Sequence, residues 1–179
     1  MEKQQIINNI IDNHNTFISK LKSLSDDDFG RKPGNKWSAG QQLDHIIKSV
    51  KPVDMALGLP VFVLKMKFGV ANRPSRSFEG LVEKYQNALK KNGDFEIPSD
   101  FAPAEITIDE RDKGFEKLNK LVQKLCKRLV KFSEAELDKY ILPHPLIGKV
   151  TLREMLHFTA YHALHHERQI LENLTNEHS

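Results

Sequence analysis

Residues 151–170 have the sequence TLREMLHFTAYHALHHERQI, which is the pattern of a long helix with one buried face. Thr151 is a hydroxyl residue that can cap a helix N-terminus, and Glu154 follows three residues later, at the spacing of a capping box. Side chains suited to a core then recur three, four or seven residues apart. These are Leu152, Met155, Leu156, Thr159, Ala163 and Ile170. The same stretch carries four of the chain's eight histidines.

Three more amphipathic helices precede this one, and we find no convincing strand. The first covers residues 2–24, the second begins after Ser38 and is ended or kinked by Pro52, and the third covers residues 109–132. The sequence therefore predicts an all-α protein, a four-helix bundle forming a single domain over residues 1–179. The connection between the second and third helices, residues 58–108, is long enough to cross the bundle, and it includes a short helix near Phe78 to Lys91.

The composition excludes several classes of protein. Hydrophobic residues make up 39% of the chain and charged residues 28%, and the 27 Lys and Arg are dispersed among 24 Asp and Glu. We therefore expect no nucleic-acid partner. Residues 55–68 are the most apolar stretch, but they are too short and too interrupted to span a membrane. We interpret them as a buried segment, and an interfacial patch is the alternative. Cys126 is the sole cysteine, so no disulfide can form within the chain and we expect a cytoplasmic location. Its place in the third predicted helix predicts a core position for Cys126. A homodimer is left open.

The spacing of the histidines indicates a metal site. His162 and His166 are one helical turn apart on the inward face, whereas His165 lies roughly 60° to 100° away. Two neutral imidazoles placed in this way can bind one divalent metal ion at about 2.0–2.1 Å per nitrogen. A buried pair hydrogen-bonded to its neighbours is the competing interpretation. A third ligand must come from another part of the chain, and His157 is predicted on the outward side of its helix. Helix geometry does not choose among the candidates His14, His45, His144 and His157.

Two motifs resemble a known family. KWSAGQQLDHI, residues 36–46, places a histidine eight residues after a tryptophan at the start of a helix. GKVTLREMLHFTAYHALHHERQI, residues 148–170, places an H-x-x-x-H pair in the final helix ahead of Gln169 and Ile170. Together they resemble the DinB-like superfamily, and within it the YfiT-type proteins. The likeness follows the order and length of nearly the whole chain and is weakest in residues 58–108.

The resemblance implies a four-helix bundle that binds one divalent metal ion through His45, His162 and His166. It gives no ligand role to His165, and no catalytic residue is assigned. Zinc, nickel, iron and manganese all remain open, because imidazole does not distinguish them sharply. Asp44 is a candidate to orient a metal-bound histidine. Trp37 is expected to pack before the Ser38 cap.

Such a site is typical of a catalytic metal ion rather than a structural one, because three neutral ligands leave one coordination position open. Three functions follow. The first, which the resemblance supports because some members use bacillithiol, mycothiol or glutathione, is the transfer of a low-molecular-weight thiol to an electrophile. The second is a metal-dependent hydrolase that uses metal-bound hydroxide on a hydrolysable substrate. The third is a non-catalytic metal-binding bundle.

Overall fold

Four long helices form the bundle in the computed structural model, which describes residues 2–93 and 96–175. Helix α1 packs against α6 and α8, and α3 packs against the same two helices. The bounds of the four are α1 Lys3–Lys22, α3 Ala39–Leu57, α6 Arg111–Leu129 and α8 Leu152–Thr175. The predicted all-α bundle is therefore confirmed. The apolar faces of all four helices belong to one core cluster, while the single domain over residues 1–179 stays a prediction.

The second predicted helix, α3, begins as expected and ends later. The Ser38 hydroxyl accepts a hydrogen bond from the Gln41 backbone, and the Gln41 side chain accepts one from the Ser38 backbone. Pro52 lies inside α3 and does not end it. Val53 and Leu57 beyond the proline are buried in the core, and this burial offsets the backbone hydrogen bond that a proline removes.

A short hairpin corrects the prediction that the chain has no strand. Strand β1, Ile141–His144, pairs antiparallel with β2, Gly148–Thr151, directly before α8. The two prolines near the turn conceal this hairpin in the sequence. Gly148 permits the turn because its φ is +76°, a conformation that favours glycine. The hairpin places His144 at the end of a strand.

Four shorter helices and two 3₁₀ turns connect the long helices in the part of the chain that the structure describes. Helices α2, α4 and α5 are Asp26–Gly30, Val61–Phe68 and Phe78–Lys91, and α7 is Glu134–Lys139. Helix α5 has the predicted bounds. The 3₁₀ turns are Ser99–Phe101 and Ile108–Glu110, and both lie between α5 and α6.

Residues 55–68 do not form the buried segment that the sequence suggested. Leu64 is fully buried, but Met55, Phe62 and Met66 are 59%, 68% and 78% exposed. The two turns of α4 are too short to bury more than one row of side chains. Within residues 2–93 and 96–175, no helix combines the length and the apolar character needed to cross a membrane.

A buried carboxylate attaches the segment before α5 to the start of α8. Glu154 is completely buried and accepts two hydrogen bonds from the Arg73 guanidinium, at 2.7 and 2.8 Å. Its oxygens also accept from the backbones of Arg76 and Thr151, at 2.8 and 2.9 Å. Burial by itself would raise the pKa of Glu154, but these hydrogen bonds outweigh it and lower the pKa to about 2. The connection therefore has a defined path across one end of the bundle.

Candidate metal centre

Three histidines from two helices meet at one point. His45 projects from α3, and His162 and His166 project from consecutive turns of α8. All three are buried, and each offers a ring nitrogen within 4.8 Å of the others. The Nε2 atoms of His162 and His166 are 3.0 Å apart. Two nitrogens bound to one tetrahedral zinc ion lie about 3.3 Å apart, so this spacing suits a shared ion.

The outer ring nitrogens of two of these histidines have fixed partners. His45 Nδ1 lies 2.8 Å from the backbone oxygen of Phe101, and His166 Nδ1 lies 3.0 Å from Oε1 of Gln42. Because both partners accept hydrogen bonds, both rings carry their proton on Nδ1 and leave the Nε2 lone pair free for a metal. Metal-binding histidines are commonly oriented in this way.

The electrostatic environment keeps the cluster neutral. Burial lowers the pKa of His162 and His166 well below 6.5, and the neighbouring histidines lower both further. Burial also lowers the pKa of His45, although its bond to Phe101 opposes the shift. Neutral imidazole is the form that binds metals, so the group is ready to bind at neutral pH.

The cluster lies in the wall of a cavity of about 460 Å³. Trp37 covers one side, and its ring centroid is 4.9 Å from that of His45 and 6.1 Å from that of His166. Phe158 and Tyr85 cover the other side. Five polar residues complete the lining: Asn35, Lys36, Gln169, Glu172 and Asn173. The cavity thus has an aromatic inner wall and a polar part that includes one cation and one anion.

The remaining candidates for a third ligand are not part of the group of three. His14 is buried in α1 with Nδ1 2.7 Å from the Ile10 oxygen, and it lines a different cavity. His157 is also buried, which corrects the prediction that it faces outward: α5 covers that side of α8 and places Phe78 against its ring. His144 lines the cavity, but its Nδ1 accepts hydrogen bonds from the backbones of Leu146 and Ile147.

The expectations for Asp44 and His165 have different outcomes. The Asp44 carboxylate does not orient His45; it accepts from the backbone of Ala104 at 2.7 Å and pairs with Lys48. His165 stays outside the group of three, as expected, and its Nε2 lies 3.2 Å from the Gln169 amide nitrogen in the cavity wall.

Several residues at the site were not found from the sequence. Gln42 lies three residues before His45, so an amide one turn from a candidate ligand was a usable signal. Tyr85 and Phe101 gave none, because they come from the least periodic part of the chain and reach the site only through tertiary structure. Cys126 lies in the core of α6 as predicted, and burial raises the pKa of its thiol to about 11, which excludes a reactive thiolate.

Comparison with known proteins assigns the chain to a family. A DinB superfamily model matches residues 11–170, and this chain belongs to that superfamily. The chain is similar to the uncharacterized protein YuaE of Bacillus subtilis (strain 168), with 26% identity over 155 residues, which covers 86% of this chain and 88% of that protein. No solved structure gives a significant match. The family match includes both motifs that suggested the resemblance.

Proposed function

We propose that this protein is a metal-dependent enzyme that transfers a low-molecular-weight thiol to an electrophilic carbon, with His45, His162 and His166 as the metal ligands. The observation that carries the proposal is the convergence of three buried, neutral imidazoles in the wall of a cavity large enough for a small molecule. Membership of the DinB superfamily supports metal binding.

The donor set favours an open site. Over residues 2–93 and 96–175, no cysteine or carboxylate joins the three histidines, whereas a structural zinc site has four protein ligands. When bound, a divalent metal ion supplies a positive centre that holds a thiol as its thiolate. Zinc, nickel, iron and manganese all suit three imidazoles.

The residues around the cluster bind and orient the reactants. Gln42 and Phe101 hold two imidazoles in the required tautomer. Trp37 and Phe158 form apolar walls that limit access of water, while Lys36 and Glu172 offer charges to the polar part of a thiol. In the transfer, the thiolate sulfur forms a bond to carbon with its electron pair, and the leaving group departs with the pair of the broken bond. The proton of the thiol passes to bulk water. A cytoplasmic location, inferred from the single cysteine, fits a reaction that consumes a reduced thiol.

Cobalt substitution tests this proposal without relying on turnover. We expect wild-type protein to bind one cobalt ion and to show a sulfur-to-metal charge-transfer band when a small thiol is added. His45→Ala, His162→Ala and His166→Ala should each bind far less cobalt, whereas His165→Ala, one position away on the same helix, should bind it normally.

Three results would change the assignment. A spectrum that ignores every thiol tried but changes with pH near neutrality would favour the hydrolase. Normal cobalt binding by the His45→Ala variant would remove α3 from the site. A protein that binds metal and thiol but turns over neither electrophiles nor ester and amide substrates would be a non-catalytic binder.

A further inference from the structure

A second cavity of about 420 Å³ adjoins the one that contains the histidines. It lies between α3, the hairpin and α8. Val50, Val53 and Ala56 line it from α3, and Met155 and Thr159 line it from α8. Its volume is in the range of sites that bind small molecules.

The two cavities share one wall. Five residues line both of them: Pro98, Phe101, His144, Pro145 and Phe158. Pro98 and Pro145 are exposed, so the mouths of the cavities meet at a common rim. The backbone oxygen of Phe101 also orients His45. A molecule that occupies the second cavity is therefore next to the histidine cluster.

The second cavity has an uncharged wall. Among the described residues that line it there is no Asp, Glu, Lys or Arg. The hydroxyl groups of Ser49 and Thr159 donate to backbone oxygens of their own helices, both at 2.8 Å. These hydroxyl protons are therefore not available to a ligand, and the wall suits an apolar, uncharged one.

One polar atom of a lining residue has no partner. His14 lines the cavity, and its Nε2 is buried without a hydrogen-bond partner. Because His14 Nδ1 donates to the Ile10 oxygen, Nε2 is an acceptor. Buried acceptors are rarely left unpaired in native proteins, so this atom is available to a donor on a molecule that fills the cavity.

We propose that the second cavity binds the uncharged apolar body of the electrophilic substrate, and that His14 Nε2 accepts a hydrogen bond from a donor on that body. The identification of this body with the electrophile rests on the proposed function. The existence of an apolar binding site does not.

Binding of N-phenyl-1-naphthylamine tests the site directly, because this fluorescent probe is apolar and uncharged and has one N–H donor. We expect saturable binding of one probe per chain, with or without metal. Ala56→Phe fills the second cavity and should weaken binding at least tenfold, and Val53→Phe provides a second filling variant if the first does not fold. His14→Leu should weaken binding about fivefold, the effect of one lost hydrogen bond.

Two control variants identify where the probe binds. Leu89→Phe places a larger side chain at a residue that lines only the first cavity, as the counterpart of Ala56→Phe. Met66→Ser removes an exposed apolar side chain of α4. Both should bind the probe as the wild type does. Absence of saturable binding, or binding that the filling variants leave unchanged, would overturn the proposal.

A series of 1,2-epoxyalkanes then tests the link to the reaction. The thiolate sulfur forms a bond to a ring carbon, the carbon–oxygen bond breaks with its pair on oxygen, and that oxygen takes a proton from bulk water, which balances the proton that the thiol gave up. From epoxybutane to epoxyoctane, kcat/KM should rise about fourfold per methylene in the wild type and stay level in Ala56→Phe. If kcat/KM of the wild type did not change along the series, the second cavity would not be the electrophile's site. Probe binding without any epoxide turnover would instead count against the proposed transferase.

Discussion

The hydrogen bond between His166 and Gln42 allows a quantitative test of the metal site that leaves all three proposed ligands in place. Both side chains are buried, and the bond of 3.0 Å joins His166 Nδ1 to the amide oxygen of Gln42. Gln42→Met removes the acceptor and keeps most of the side-chain volume. In this variant the metal-free His166 can place its proton on Nε2, where it faces His162 Nε2 at 3.0 Å.

Metal binding to the Gln42→Met protein then requires a change of tautomer that leaves the Nδ1–H buried without an acceptor. An unpaired buried donor costs about 1–3 kcal/mol. Since about 1.4 kcal/mol corresponds to a factor of ten, we expect the metal dissociation constant to rise roughly 10- to 100-fold, which matches the usual effect of removing such a partner.

A chromophoric chelator competing for zinc or cobalt measures this constant in the folded protein. Gln86→Met is the control for the substitution itself, since the exposed Gln86 donates a bond of 3.1 Å to the Tyr161 hydroxyl, away from the cluster. If Gln42→Met binds metal within twofold of the wild type, His166 is not a ligand through Nε2. Equal losses in both variants would show that the effect is a general destabilisation.

Three further predictions concern stability, and one open question concerns assembly. Glu154→Gln breaks the buried pair with Arg73 and should cost about 3–5 kcal/mol, lowering Tm by roughly 10 °C in calorimetry, whereas Glu116→Gln on the surface should leave Tm unchanged. Burial lowers the pKa of His14 from 6.5 to about 4, so the unfolded chain binds more protons between these values. The free energy of unfolding should therefore fall by about 3 kcal/mol, because of His14, as pH falls from 6.5 to 4. Urea unfolding of His14→Phe should show a smaller pH dependence than that of the wild type. Chelation should abolish activity but leave the helical circular dichroism signal, because the core does not depend on metal; loss of that signal would make the metal structural. The open question of a homodimer is settled by sedimentation equilibrium of the full chain.

The bundle was predictable because its helices obey local rules. Caps such as Ser38 with Gln41, and apolar side chains three and four residues apart, are visible in the sequence and persist in the structure. His162 and His166 were placed together for the same reason, since one helix fixes their relation. His45 was not placed by geometry, because its position depends on how α3 packs against α8, and the family resemblance supplied it.

The failures concern features that depend on tertiary contacts. His157 was predicted to face outward because a helical wheel contains no information about α5, which covers that side. Asp44 was adjacent to His45 in sequence, yet adjacent residues on a helix point about 100° apart, and its partner is the backbone of Ala104. The hairpin was missed because its strands are four residues each and β1 contains Pro143.

The long connection, which had the weakest sequence pattern, determines much of the site. On successive turns of α3, His45 donates to the oxygen of Phe101, Lys48 donates to the oxygen of Ala102, and Asp44 accepts from the backbone of Ala104. Three neighbouring side chains thus fix residues 101–104 against α3, and one of these contacts sets the tautomer of a proposed ligand. The bundle supplies the imidazoles, while the connection supplies the Phe101 side chain that lines both cavities. Changes to the Phe101 side chain should therefore alter which substrate is accepted more than whether metal is bound, because the contact with His45 comes from the backbone oxygen of Phe101.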